Sequence, residues 1–133
     1  MVEKPQPRSV LIVDDEFGLA DMLRETLRED GYEVSLAING RLAFDRLRER
    51  AVDLVITDLM MPVMDGAELA AAIRADEGMR GTAVLLMTSL PSRVPDHSGL
   101  YHAIIRKPFT PALLLASMNA CFAAHRDRIR VLK

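Results

Sequence analysis

The chain has 133 residues, 50% of them apolar and 27% charged, with a formal net charge of -2. That length supports one domain with a sizeable core and no need of disulfide or metal staples, and the composition excludes a disordered chain. The charge argues against a general nucleic-acid binder, although His125 to Lys133 is locally basic.

Met1 to Arg8, with Pro5 and Pro7, reads as a flexible lead-in (residues 1–8) before a domain over 9–124 and a basic tail or helix extension over 125–133. Ser9 to Val13 is an apolar strand that stops at Asp14-Asp15-Glu16. A helix follows from Phe17 to Asp30, with Phe17, Ala20, Leu23 and Leu27 on its inner face, and Gly31 ends it as a left-handed cap. Tyr32 to Ala37 is the second strand. Asn39-Gly40 then turns into a helix from Arg41 to Arg50, with Ala43, Phe44 and Leu47 inward.

Leu54 to Asp58 is the third strand, and it delivers a carboxylate to a loop punctuated by Pro62 and Gly66. A helix from Ala67 to Arg74 is buried through Leu69, Ala70 and Ile73, and Ala83 to Thr88 is a nearly all-apolar fourth strand. Ser89 to Leu100 carries Pro91, Pro95 and Gly99, and a proline inside a helix costs about 3 kcal/mol, so a loop or one short turn is expected there. His102 to Arg106 is the fifth strand. Pro111 opens a last helix to about Arg126, where its missing N–H is harmless.

Strands alternating with helices imply right-handed crossovers and an α/β, doubly wound, five-stranded parallel sheet. The fourth helix would be shortened or absent. Ligands of such sheets bind at the carboxyl ends of the strands. Asp58 alone would read as a solvated turn acid that caps the next helix. Asp14-Asp15 and Lys107-Pro108, at the ends of two other strands, shift the balance towards a site.

Asp14-Asp15, Asp58 with its Met-Met-Pro-x-Met-Asp-Gly continuation, Thr88-Ser89 and Lys107-Pro108-Phe109 together resemble the receiver domain of two-component response regulators over residues 9 to 124. The resemblance implies a flavodoxin-like strand order of 2-1-3-4-5, and that Asp58 accepts a phosphoryl group from a sensor histidine kinase or histidine phosphotransfer protein. Mg²⁺ would be held by Asp15, Asp58 and the backbone carbonyl of Met60, with Asp14 acting through water, and oxygen-only ligands suit that hard cation. Lys107, after a cis bond to Pro108, would neutralise charge on the other side of the phosphoryl group, and the Thr88 hydroxyl would donate to it. Such a chain is a phosphoprotein with at most weak autophosphatase activity, not an enzyme in its own right, and it signals to a downstream protein target.

Two features depart from the family pattern. Ile104 stands three positions before Lys107, where an aromatic switch residue is usual, and the Thr88 to Lys107 interval is about one helical turn short. A signal would then travel through Ser89 to Leu100. Met60 and Leu90, two positions after Asp58 and Thr88, cannot orient a hydrolytic water, which implies a long-lived phospho-form.

The last helix carries Leu113, Leu114, Leu115, Met118, Cys121 and Phe122, too many apolar groups for one sheet face, so a homodimer or partner surface is expected there. Arg126, Arg128 and Arg130 read as a solvated helix end. Cys121 is a packing residue without a base at fixed spacing, and His97, His102 and His125 share no metal-ligand spacing. Without a signal peptide or an apolar run of membrane-spanning length, the expected compartment is the cytoplasm, with no membrane partner. Little chain follows the domain, so a stand-alone receiver is expected. The alternatives are a phosphorylation-independent interaction or dimerisation module and, much more weakly, an aspartyl-nucleophile phosphatase, whose acid pair would need a different spacing after the first strand.

Overall fold

The computed structural model describes residues 8–95 and 99–132, with side chains after His125 excluded. The lead-in before Arg8 and His97 therefore lie outside the described residues, as do the side chains of the arginines at the helix end. Five strands, β1 (Ser9–Val13), β2 (Glu33–Ala37), β3 (Leu54–Asp58), β4 (Ala83–Thr88) and β5 (Ala103–Arg106), form one parallel sheet in the order β2-β1-β3-β4-β5. Four helices cover it: α1 (Phe17–Glu29), α2 (Gly40–Glu49), α3 (Gly66–Ala75) and α4 (Pro111–Leu132). The expected fold is present, including the missing fourth crossover helix, which is replaced by a single 3₁₀ turn at Pro91–Arg93.

The central strands are buried on both faces because helices flank both. Val10, Ile12, Leu54, Ile56, Leu85 and Met87 pack with α1 and α4, while Leu11, Val13, Val55 and Val84 pack with α2 and α3. Alternate residues of each strand thus feed two separate cores. Local chemistry sets the helix ends. Asn39 caps α2 by accepting from Leu42 N–H, and Asp65 and Glu68 form a reciprocal capping box at the start of α3. Gly31 has the left-handed φ of 92° that its capping role requires.

Several expectations are corrected. Phe17, the first residue of α1, is 67% exposed, while Ala20, Leu23 and Leu27 are buried as expected. The helix α4 is amphipathic after all. Leu114, Met118, Cys121 and His125 recur at helical spacing and are buried, Leu115 and Phe122 are half-buried on the flanks, and Leu113 is the large apolar group left exposed among its described residues. Phe122 is further covered by the Arg8 guanidinium, 4.0 Å from its ring centroid. Ala112, Ala116 and Ala120, rather than bulky side chains, form the outward face. No helix of the described chain is long and apolar enough to cross a membrane.

Where a fourth helix would lie, Val94 and Tyr101 pack on the buried cluster of Leu59, Ala67 and Leu86. The Tyr101 hydroxyl donates to the Pro95 carbonyl, and the Arg74 guanidinium donates to the carbonyls of Leu100 (3.3 Å) and Thr82 (3.0 Å). A short stretch of loop with one aromatic ring thus does the covering that a helix would otherwise do.

Candidate functional site

At the carboxyl edge of the sheet, Asp14-Asp15 follow β1, β3 ends in Asp58, β4 in Thr88, and Lys107 follows β5. Carboxylate oxygens of Asp14, Asp15 and Asp58 all lie within 4.8 Å of one another. Asp14 is buried, Asp58 partly so, and Asp15 exposed. Lys107 Nζ donates to Asp14 Oδ2 at 3.0 Å and to Asp58 Oδ2 at 3.3 Å, bridging strands at the two sides of β3. The Lys107–Pro108 bond is cis, as expected.

Each acid is held differently. Asp14 Oδ1 accepts the Glu16 N–H at 2.8 Å, so both of its oxygens are engaged. Asp58 accepts from Lys107 at 3.3 Å, and the backbone N–H of Met60 weakly favours its charged form. Burial pushes the Asp58 carboxyl above its ordinary value; the Lys107 charge opposes this, and the Asp14 charge adds to it. Lys107 feels burial pulling it down, but its bond to Asp14 and the two carboxylate charges outweigh that and raise it. The lysine is therefore a fixed cation, and the acidic pocket still lacks positive charge.

An oxygen-only cluster with that deficit fits a hard divalent cation, with Asp15 the most accessible ligand. Thr88 sits one residue beyond the Asp58–Met87 pairing, is buried, and its hydroxyl accepts the Leu90 N–H at 3.0 Å. Met60 presents its N–H to Asp58, and its side chain is 57% exposed. Leu90 is also exposed, as is Ile104, which lies on the edge strand and points away from the site's packed layer.

Three supporting residues escaped the sequence reading. The buried Thr57 hydroxyl donates to the Asp58 carbonyl at 2.9 Å, which fixes the peptide beneath the carboxylate. Gly66 approaches the same carbonyl so closely that a Cβ there would lie 2.3 Å from it. Asp65 holds the following helix through its capping box, and that signal, Asp-x-x-Glu, was readable. Beside Lys107 a mostly apolar groove of about 350 Å³ is lined by Leu19, Met22, Leu23, Ser89, Pro108 and Phe109.

The sequence profile of the response regulator receiver domain matches residues 10–119. The DNA-binding response regulator MtrA of Mycolicibacterium paratuberculosis is 35% identical over 121 residues, covering 89% of this chain and 52% of that protein, so the chain spans about half the length of the curated relatives it matches. Among solved structures, the chemotaxis response regulator CheY4 of Vibrio cholerae matches with a TM-score of 0.75 and 31% identity, covering 85% of this chain and 97% of that one. The response regulator TrrA of Thermotoga maritima, solved in complex with Mg²⁺ and BeF, matches with a TM-score of 0.77 and 31% identity over 84% of this chain and 96% of that one. With an acidic pocket at the expected strand ends and a profile match over most of its length, this chain belongs to the response regulator receiver domain family of two-component systems.

Proposed function

We propose that the chain accepts a phosphoryl group on Asp58 from a phosphohistidine of a sensor kinase or phosphotransfer protein, in a Mg²⁺-dependent reaction, and signals through altered binding of a protein target. The observation that carries this reading is the Lys107 ammonium shared between buried Asp14 and Asp58, at 3.0 and 3.3 Å, within a three-carboxylate cluster. A carboxylate oxygen of Asp58 forms the new P–O bond as the P–N bond breaks, and the electron pair leaves with the donor imidazole. Lys107 is positioned to swing from the carboxylates onto a phosphoryl oxygen. Thr88 can exchange the Leu90 N–H for a donated bond to another such oxygen.

Asp15, Asp58 and the Met60 backbone would hold Mg²⁺, with Asp14 assisting through water; when bound, the ion neutralises carboxylate and phosphoryl charge. The apolar groove beside Lys107, with Met22 59% exposed on its rim, offers a seat for the donor's apolar surface. The chain acts as a phosphoryl acceptor with weak autophosphatase activity in the cytoplasm. A dimer through α4 would have to be built from Leu113 and the alanine face.

Incubation with acetyl phosphate or a phosphorylated histidine donor and Mg²⁺, followed by intact-mass measurement, should add one phosphoryl group. Asp58→Asn should add none, and EDTA should prevent the reaction. An unmodified wild-type chain under all these conditions would favour the phosphorylation-independent interaction module instead. With Met60 and Leu90 flanking the acid, hydrolysis of the phospho-form should be slow, and rapid phosphate release would contradict that part.

A further inference from the structure

The amino edge of the sheet, roughly 15 Å of strand away from the acidic pocket, holds a second cavity. Ser35, Leu11, Val55 and Val84 lie side by side in one cross-strand row, on the face that α2 and α3 cover. The three inner members of that row are buried in the core. The outermost, on the edge strand β2, is a half-buried hydroxymethyl group instead of an apolar branch. The helix above it stops short as well, because α2 ends at Glu49 and Arg50 leaves it in extended backbone with φ of -152°. A small side chain below and a helix end above leave a cleft of about 300 Å³.

The lining divides by chemistry. Leu11, Leu47 and Val52 supply apolar surface, with Ser35 beside them. Around them stand Arg46, Arg50, Glu33 and Glu49, all exposed, two of each sign. Arg50 and Glu33 already pair at 3.4 Å, and the Ser9 hydroxyl is tied to Asp53. Arg46 and Glu49 form no ion pair with any described residue, and the Ser35 hydroxyl forms no hydrogen bond with one. One cation, one anion and one hydroxyl are thus left over around a single apolar surface.

Charge balance decides which solute this suits. A simple anion gains from Arg46 but meets two carboxylates, and a simple cation meets two guanidinium groups in the same way. A zwitterion satisfies both signs at once, and an apolar body attached to it covers Leu11, Leu47 and Val52. Small-molecule sites start at about 300 Å³, which here gives room for a solute the size of one amino acid.

We propose that this cleft binds a free α-amino acid with a branched apolar side chain, its carboxylate on Arg46, its ammonium on Glu49 and its side chain against Leu11, Leu47 and Val52. The Ser35 hydroxyl is a further hydrogen-bond partner. Binding requires neither Mg²⁺ nor phosphorylation of Asp58.

Titration of the ¹⁵N-labelled chain with L-leucine tests this against two halves of the same solute, isocaproate, which lacks the ammonium, and isoamylamine, which lacks the carboxylate. Leucine should bind with a dissociation constant of about 1 mM and move the amide signals of Ser35, Arg46, Glu49 and Val52, while those of Asp15, Asp58 and Met60 stay in place. Each half should bind roughly tenfold more weakly. Ser35→Leu, which fills the cleft from the sheet side, and Arg46→Gln, at an exposed position, should each weaken leucine binding roughly tenfold or more. Cleft amides that do not move at about 20 mM leucine overturn the site, as does an undiminished response in the two variants. Binding of either half as tightly as leucine overturns the zwitterion as its ligand. Should Ser35→Leu fail to fold, Arg46→Gln decides.

Discussion

At the scale of single residues, Asp58 carries an electrostatic cost. Its carboxyl lies above the ordinary 3.8, mainly through burial, with Lys107 only partly offsetting this and Asp14 adding to it. Below that ordinary value the proton is bound in both folded and unfolded chains, and the group's contribution to stability is fully present. As pH rises, the unfolded chain ionises first, so the contribution is lost through the folded value. Without metal, Asp58→Asn should therefore be more stable than the wild type at neutral pH, and the advantage should vanish in acid; thermal unfolding in EDTA across that range checks it. Val63 carries a different cost. It has φ of 72° within a tight turn closed by Met64 N–H to Pro62 carbonyl at 2.8 Å, and its side chain is 79% exposed. A β-branched residue is strained there and nothing packs on it, so Val63→Asn should stabilise the fold by about 1 kcal/mol in urea unfolding, with phosphorylation retained.

At the scale of elements, the junction of β3 and α3 is the tightest part of the site. Gly66 begins α3 against the Asp58 carbonyl and the Leu86 side chain, which a Cβ would approach to 2.3 and 2.9 Å. Gly66→Ala should cost about 2 kcal/mol or more and slow phosphorylation of Asp58, because the backbone rather than a flexible side chain must yield. Past β4, the turn from Leu90 to Val94 hangs from the Thr88 hydroxyl at one end and from the Tyr101 ring at the other. If Thr88 turns towards a phosphoryl group, Leu90 loses its acceptor. Hydrogen exchange at Leu90, Arg93 and Val94 should then speed up on adding Mg²⁺ and beryllofluoride, and unchanged rates would show that this turn carries no signal. Ile104 cannot serve as an aromatic relay, whereas Tyr101 already sits on the layer behind Asp58.

At the scale of the molecule, the parallel sheet puts the carboxyl ends of all its strands on one edge, and the two helix layers bury its central strands on both faces. Elements were legible because their signals are local. Apolar runs of strand length, Asn39 and Gly31 at helix ends, and prolines in the Ser89 to Leu100 stretch each constrain the neighbouring backbone. The clustering of Asp14, Asp15 and Asp58 with Lys107 was legible too, since each closes a strand or follows one at the same edge of the sheet. Solvent exposure was less so. Phe17 and Leu113 belong to apolar helical patterns yet face water, because only packing decides which helix positions are covered. Sequence by itself determined the succession of strands and helices along the chain and the charged groups at the strand ends, because backbone propensity and hydrophobic period act over a few residues. Tertiary structure alone decided that Lys107 reaches across 93 residues to Asp14 and 49 to Asp58, and that His102 meets His125. Contacts at such separations depend on register, helix rotation and side-chain direction, which no short stretch of chain encodes.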